Sequence, residues 1–161
     1  AAGNYGASLY PAKLAKQQGF HQLVWTDAKT HTFIEESGTM NIVFVMDNKI
    51  ITPTEDADTI LRGTTKKTVL ELARHFGIPV EERKVTVAEI IEAAHAGKLQ
   101  EAFGAGTAAT IAPIALIGYR DEKIMLPALE TREISLKIKA YLDDVKSGEI
   151  ADTMHWIQKV C

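Results

Sequence analysis

The segment that most constrains the fold is a β-hairpin predicted between residues 41 and 52. Asn41 to Met46 consists largely of β-branched and aromatic residues, and Asp47-Asn48-Lys49 separates this run from Ile50-Ile51-Thr52. Two apolar runs joined by a short polar turn are typical of antiparallel neighbours. Pro53 follows and ends the second strand, because proline cannot donate a hydrogen bond to a sheet.

Apolar residues at helical spacing predict two longer helices. The first runs from Thr65 to Phe76, and Gly77 stands where a helix C-cap is expected. The second has its buried face between Ile134 and Val145 and ends at Gly148.

Boundary signals predict two shorter helices. Thr86-Val87-Ala88-Glu89 matches a capping box, in which the Thr86 hydroxyl accepts from the Glu89 backbone while the Glu89 side chain reaches back; this helix ends near Gly97. Because proline is tolerated only in the first turn of a helix, Pro11 predicts a short helix that starts near Leu9 or Tyr10 and ends at Gly19.

The other apolar runs predict strands, and the tail after residue 150 shows no clear period, with an exposed Trp156. The predicted strands are His21–Thr26 with an extended piece through Phe33 and Ile34, an edge strand at 79–85, and two strands at 99–103 and 109–119 joined by a glycine-rich turn, Gly104–Thr107. Since helices alternate with strands, several of which are joined by hairpin-length turns, the predicted fold class is mixed α/β (α+β). At 161 residues, we expect residues 1–161 to form a single domain.

Composition excludes several classes of function. The chain has 18 basic and 21 acidic residues and no basic stripe with interleaved aromatics, so nucleic acid is not an expected partner. Its apolar runs are far shorter than the roughly 20 residues of a membrane helix. The only cysteine, Cys161, cannot form an intrachain disulfide, which agrees with a reducing compartment such as the cytoplasm. The five histidines lack a metal-ligand spacing, and no serine lies in a G-x-S-x-G elbow.

Four segments combine small residues with hydroxyls or a carboxylate beside predicted strands: Gly3–Gly6, Glu35–Asn41, Leu61–Thr65 and Phe103–Ala109. The third opens a predicted helix, whose unpaired N–H groups and dipole favour a bound anion such as phosphate. The alternative is that Thr64 or Thr65 simply caps this helix.

The fourth segment resembles a phosphate-binding loop, although it lacks the Walker pattern, so a nucleotide is not indicated; its alternative is a tight turn. Glu36 precedes a very apolar strand. If Glu36 is partly buried, it requires a positive partner, such as a protonated ring nitrogen or an arginine; the alternative is a solvated surface position.

In this order, the four segments resemble the cofactor-binding half of the branched-chain amino acid aminotransferases, which are class IV (fold-type IV) pyridoxal-phosphate enzymes. The similarity extends over essentially the whole chain, from Gly3-Asn4-Tyr5 to Trp156. In this family, the lysine that binds pyridoxal 5′-phosphate covalently stands shortly before the segment like Gly3-Asn4-Tyr5. The resemblance therefore implies that the lysine falls immediately before Ala1, so no catalytic residue is expected in this chain.

The resemblance also implies a cofactor role for each matching position. Tyr5 matches a tyrosine whose hydroxyl bonds the phenolic oxygen of the cofactor, and Glu36 matches the acid that pairs with the pyridine nitrogen. Gly63-Thr64-Thr65 matches the helix start whose backbone N–H groups hold the phosphate, and Thr107 matches a threonine that also bonds it.

By the same resemblance, Thr39 and Ala108 offer backbone groups to the substrate carboxylate. The implied substrates are leucine, isoleucine or valine with 2-oxoglutarate, and the implied assembly is a homodimer. Many relatives have proline at Arg62 and arginine at Lys66, and the family's smaller N-terminal domain has no counterpart here. We therefore expect the chain alone to be inactive and to expose apolar surface. The alternatives are a D-amino acid aminotransferase, an aminodeoxychorismate lyase, or a non-catalytic binding domain of the same fold.

Overall fold

The computed structural model describes residues 2–56, 58–158 and 160; the side chains of Ala2 and Asn4, and all of Cys161, lie outside this description. The helices are α1 (Ala2–Gln17), α2 (Thr64–His75), α3 (Val87–His95) and α4 (Ile134–Ser147), with a short 3-10 helix at Leu129–Thr131. The strands are β1 (Val24–Thr26), β2 (Phe33–Ser37), β3 (Met40–Met46), β4 (Lys49–Pro53), β5 (Val80–Arg83), β6 (Val85–Thr86), β7 (Leu99–Gly106), β8 (Thr110–Pro113), β9 (Leu116–Tyr119) and β10 (Glu122–Met125). Within the described ranges, no helix combines the length and the apolar character that crossing a bilayer requires.

Strand β3 is the centre of the main sheet. It pairs with β7 along its length, from Asn41 opposite Ala105 to Met46 opposite Leu99. Its other edge is shared, because β2 pairs with its first residues and β4 with its last. Strands β4 and β5 are parallel, whereas the other pairs of the described sheet are antiparallel. Strands β9 and β10 form a separate hairpin. The predicted mixed α/β class is confirmed.

The core lies on both faces of this sheet because successive side chains of a strand point to opposite faces. Val43 and Val45 pack with apolar residues of α2 and α4 on one face. Ile42, Phe44 and Met46 pack on the other face with Ile90 of α3 and with Ile34, Val85 and Leu126. The continuous apolar run of β3 therefore reflects a strand that is covered on both sides.

The predicted hairpin and the two longer helices are confirmed. β3 and β4 are joined by Asp47 and Asn48, which both have positive φ (49° and 58°), as a two-residue hairpin turn with right-handed strand twist requires. Helix α2 runs from Thr64 to His75, one residue earlier at each end than predicted, and Gly77 follows its C-cap residue Phe76 at a φ of 72°. Helix α4 ends at Ser147, and its C-cap residue is the predicted Gly148, which has a φ of 80°.

The capping box of α3 forms only in part. The Thr86 hydroxyl accepts a hydrogen bond from the Glu89 N–H at 3.0 Å, as predicted. The Glu89 carboxylate does not return to the Thr86 backbone, because the Arg83 guanidinium binds it through two nitrogens. The ion pair with β5 replaces the second half of the box.

The prediction for the first helix is wrong at its start. Helix α1 begins at Ala2, so it includes the Gly3–Gly6 segment and places Pro11 in its interior. Proline removes one main-chain hydrogen bond there, and the alanine-rich sequence around it remains helical despite this loss.

The strands of the C-terminal half also differ from the prediction. Gly104 and Gly106 belong to β7 rather than to a turn, and the predicted strand at 109–119 is divided into β8 and β9. The glycines allow close packing against Met40: a Cβ built on Gly104 would lie 2.7 Å from Met40 Cε, and one on Gly106 would lie 2.7 Å from Met40 Cγ, so either side chain would displace Met40. Strand β10 was not predicted, and β1 begins at Val24, three residues later than expected.

Trp156 was predicted to be exposed, and this is wrong. It is half-buried and packs against the core cluster that α2 and α4 share. The Asp152 carboxylate accepts hydrogen bonds from the N–H groups of Met154 and Ile157 at 3.1 and 2.6 Å, which holds the tail in a turn around this tryptophan.

Candidate cofactor site

The predicted site residues lie mostly at one end of the main sheet. The β2–β3 turn, Gly38-Thr39, lies at this end because Ser37 pairs with Met40. The β7–β8 turn, residues 107–109, lies beside it, since β7 is antiparallel to β3 with Ala105 opposite Asn41. The sheet therefore brings together two turns that are about seventy residues apart in the sequence.

Glu36 lies on β2, two residues before this turn, and is half-buried. Its Oε1 accepts hydrogen bonds from the Leu61 N–H at 3.0 Å and from Asn41 Nδ2 at 3.4 Å. Partial burial raises the pKa of the Glu36 carboxyl above its usual range, although the Leu61 N–H and, more weakly, the charge of Lys66 oppose this shift. No salt bridge to another described residue neutralises it. The carboxylate is suited to bind a cation or a protonated ring nitrogen.

The start of α2 has no side-chain cap. Gly63 is the N-cap residue, with φ −74° and ψ 124°, and neither threonine returns to cap the helix. The alternative that Thr64 or Thr65 serves as the cap is therefore wrong. The N–H groups of the first turn have no partner in the helix, so backbone donors and the helix dipole are available to an anion beside two hydroxyls.

Asn41 links Glu36 to the start of α2. Its Nδ2 donates to the Leu61 carbonyl at 2.8 Å as well as contacting Glu36. Its Oδ1 lies so close to Gly63 that any Cβ at position 63 would overlap it. Asn41 therefore holds the carboxylate and the helix start in one fixed arrangement. The sequence analysis assigned Asn41 no role, although it is the single amide side chain in the otherwise apolar strand β3.

The β7–β8 turn is exposed and conformationally constrained. Thr107 and Ala108 are both exposed to solvent. Thr110, which follows the turn, has a φ of 56°, a conformation that β-branched residues rarely adopt. Its Oγ1 accepts a hydrogen bond from Lys146 Nζ at 2.6 Å, which ties the turn to α4.

Tyr5 is not joined to this cluster. It lies on α1 with 52% of its surface exposed, and its carbonyl accepts a hydrogen bond from Ser8 Oγ at 2.7 Å. Among the described residues, no hydrogen bond connects it to Glu36, to the start of α2 or to the β7–β8 turn. The structure therefore brings together the other predicted residues but leaves Tyr5 at a separate position.

Lys66 in the first turn of α2 is held by several partners. Its side chain is almost fully buried, and its Nζ lies 2.8 Å from a Glu55 carboxylate oxygen, 3.8 Å from one of Glu82 and 3.2 Å from the Pro53 carbonyl. These contacts fix the chain before α2 against the first turn of the helix. They are a second feature of the site that the sequence did not reveal.

Two cavities differ in their relation to this site. One, of about 400 Å³, adjoins the first turn of α2 and includes Gly63, Thr64 and Lys66 in its lining. A slightly larger one, of about 430 Å³, lies near α3 at a different part of the sheet. Its charged lining is largely satisfied internally, for example by the Arg83–Glu89 pair. The lining of the cavity beside α2 also contains paired charges, such as Lys66–Glu55 and Arg74–Glu82. Unlike the cavity near α3, it adjoins the N–H groups of the first turn of α2, which have no partner in the helix.

Comparison with known proteins identifies the family. The sequence profile described as amino-transferase class IV matches residues 2–117. This chain belongs to the class IV aminotransferase family, and the resemblance found from the sequence is confirmed.

Three relatives are representative. Branched-chain-amino-acid aminotransferase 2 of Bacillus subtilis (strain 168) is 39% identical over 99% of this chain and 44% of its own length. The crystal structure of the Escherichia coli branched-chain amino acid aminotransferase has a TM-score of 0.78 at 26% identity, covering 98% of this chain and 48% of that one. An aminotransferase from Brucella abortus, bound to the co-factor PLP, has a TM-score of 0.66 at 26% identity, covering 85% and 45%. The chain thus spans less than half the length of these relatives.

Proposed function

We propose that this chain is the pyridoxal phosphate-binding domain of a branched-chain amino acid aminotransferase. The whole enzyme would transfer the amino group between leucine, isoleucine or valine and 2-oxoglutarate. The observation that carries the proposal is the link from the half-buried Glu36, through Asn41, to the uncapped start of α2. It supports the proposal because Asn41 contacts both the acid and the segment at the helix start, so the two groups suit one ligand that carries a ring nitrogen and a phosphate.

Each residue of the cluster has a definite task in this proposal. The N–H groups of Gly63-Thr64-Thr65 and the hydroxyls of this segment bind the phosphate, together with Thr107 from the β7–β8 turn. The turn positions Thr39 and Ala108 offer backbone groups to the substrate carboxylate. Tyr5 would bond the phenolic oxygen of the cofactor, and this requires the side chain to turn towards the cluster.

Glu36 has the most direct effect on the chemistry. Pyridoxal phosphate supplies a ring that accepts the electrons released when the Cα–H bond of the substrate breaks. The Glu36 carboxylate holds the proton on the ring nitrogen, because a nearby negative charge favours the protonated form. Asn41 and the Leu61 N–H hold this carboxylate in place through its Oε1.

The remaining parts of the enzyme are also proposals. We place the lysine that binds the cofactor immediately before Ala1, and residues 1–161 as one domain of a two-domain, homodimeric, cytoplasmic enzyme. The chain alone would then bind pyridoxal phosphate weakly and without a covalent bond. A lysine aldimine absorbance band that disappears on borohydride reduction, with the reduced label mapped by mass spectrometry to a lysine of this chain near the site, would contradict this.

The activity is tested with the protein made from the complete reading frame that encodes this chain. We expect transamination of leucine with 2-oxoglutarate and little reaction with D-alanine or aminodeoxychorismate. Glu36→Ala should lower kcat/KM by on the order of a hundredfold. Glu35→Ala is the matched control, because the Glu35 carboxylate instead accepts from the Thr59 hydroxyl at 2.7 Å. Equal effects of the two substitutions, preference for another substrate, or no activity would contradict the proposal.

A further inference from the structure

Both backbone hydrogen-bonding groups of Gly38 are bound by residues 23–25, at the start of β1. Its N–H donates to the Leu23 carbonyl at 2.7 Å. Its carbonyl accepts a hydrogen bond from the Trp25 indole Nε1 at 3.0 Å. Gly38 has a φ of 59°, and a Cβ at this position would overlap the Gln22 side chain. Both hydrogen-bonding groups of this glycine are therefore committed to one neighbouring segment.

The Trp25 bond determines the direction of the next N–H group. The Gly38 carbonyl and the Thr39 N–H belong to one peptide unit, which is planar and trans, so they point in opposite directions. Because the Trp25 indole holds the Gly38 carbonyl towards β1, the Thr39 N–H points away from β1. In the described part of the chain, no hydrogen bond uses this N–H as its donor, and Thr39 is exposed.

Trp25 is also next to the acid of the site. It is the register partner of Glu36 in the β1–β2 pair, and the pairing becomes irregular directly after it. The indole is half-buried and rigid, so it loses little conformational entropy when it holds the turn. A single side chain thus connects the strand of Glu36 with the orientation of the turn that follows.

We propose that Trp25 is a positioning residue that aims the Thr39 N–H at the carboxylate of the amino acid or 2-oxo acid substrate. This inference rests on the proposed function, because it requires the turn to face substrate. Trp25 itself does not touch the reacting atoms. Its indole N–H acts through one peptide plane, so its loss affects carboxylate binding and leaves the contacts to phosphate and ring unchanged.

The test replaces the indole N–H without changing the shape of the side chain. Benzothienylalanine at position 25 has sulfur in place of N–H, and Trp25→Phe is a second variant. Trp156→Phe is the control, because Trp156 packs in the core away from the turn. With the complete enzyme, we expect KM for both leucine and 2-oxoglutarate to rise about fivefold, the effect of one hydrogen bond, with kcat and pyridoxal phosphate affinity within about twofold of wild type.

A second readout does not depend on activity. In the complete enzyme labelled with ¹⁵N on threonine, titration with 4-methyl-2-oxopentanoate should shift the Thr39 amide signal, and the benzothienylalanine variant should need about fivefold more ligand. An unchanged KM in an active enzyme, a lower Tm with unchanged KM, or a Thr39 signal that does not respond would overturn the inference. Failure of the proposed function is a different result, since wild-type enzyme would then not transaminate leucine.

Discussion

The close contact between Gly63 and Asn41 gives a sharp prediction for Gly63→Ala. The Gly63 φ of −74° suits alanine, so the backbone itself would not be strained. The added Cβ would overlap Asn41 Oδ1, and Asn41 is buried with 5% of its surface exposed. The amide must move, and its bonds to the Leu61 carbonyl and to Glu36 lengthen or break.

The size of the effect follows from these contacts. Overpacking a filled site costs about 1–3 kcal/mol, and each weakened hydrogen bond costs about 1 kcal/mol. We expect a total loss of about 3–5 kcal/mol in the free energy of unfolding, which lowers Tm by roughly 6–20 °C in a chain of this size. Pyridoxal phosphate should also bind more weakly, since Asn41 connects the phosphate end and the ring-nitrogen end of the site.

Urea denaturation and thermal unfolding of purified chains measure this loss. Gly6→Ala is the matched control, because Gly6 lies within α1 and nothing is found within 4 Å of a Cβ built there. The control should be neutral or stabilising by up to about 1 kcal/mol. If Gly63→Ala is as stable as Gly6→Ala, the tight link between Asn41 and the start of α2 is not present in solution.

Two further predictions concern buried carboxylates. The pKa of Glu36 is raised in the folded chain, so the ionised carboxylate destabilises the fold. This destabilisation is absent at pH values below the unfolded-state pKa, grows as the pH rises, and is complete above the folded-state pKa. Glu36→Gln should therefore raise the Tm of the cofactor-free chain at neutral pH, with the gain vanishing near pH 3; a gain that does not change with pH would contradict this. Glu101, which is 3% exposed, accepts bonds from the Ile134 and Ser135 N–H groups at 2.8 and 2.9 Å at the start of α4. Glu101→Ala should cost about 3 kcal/mol by urea denaturation, whereas the exposed Glu133→Ala should change stability by less than about 0.5 kcal/mol; similar losses would contradict this role of Glu101.

Local chemistry explains which elements could be predicted from the sequence. The β3–β4 hairpin has a turn, Asp47-Asn48, whose residues favour the left-handed region, and α2 has both an amphipathic pattern and a terminal glycine. Gly104 and Gly106 were misleading, because glycine signals either a turn or close packing. Only the position of Met40 on the neighbouring strand distinguishes the two.

The site was predictable in its components but not in its arrangement. The order of the four segments identified the family, whereas the Asn41–Ala105 pairing that brings their turns together depends on a contact between distant segments. Asn41, Lys66 and Trp25 were not assigned roles for the same reason. Their contacts are with residues 13 to 20 positions away or with another element, and no local pattern encodes such contacts.

The most direct test of the cofactor site is a ¹⁵N NMR titration of the 161-residue chain with pyridoxal phosphate, with pyridoxal as the ligand that lacks the phosphate. We expect the amide signals of Thr64, Thr65 and Thr107 to shift with pyridoxal phosphate and to shift far less with pyridoxal. Glu36→Gln should weaken this binding, whereas Glu35→Gln should not. Shifts confined to residues around the cavity near α3, or equal responses to the two ligands, would contradict the proposed site.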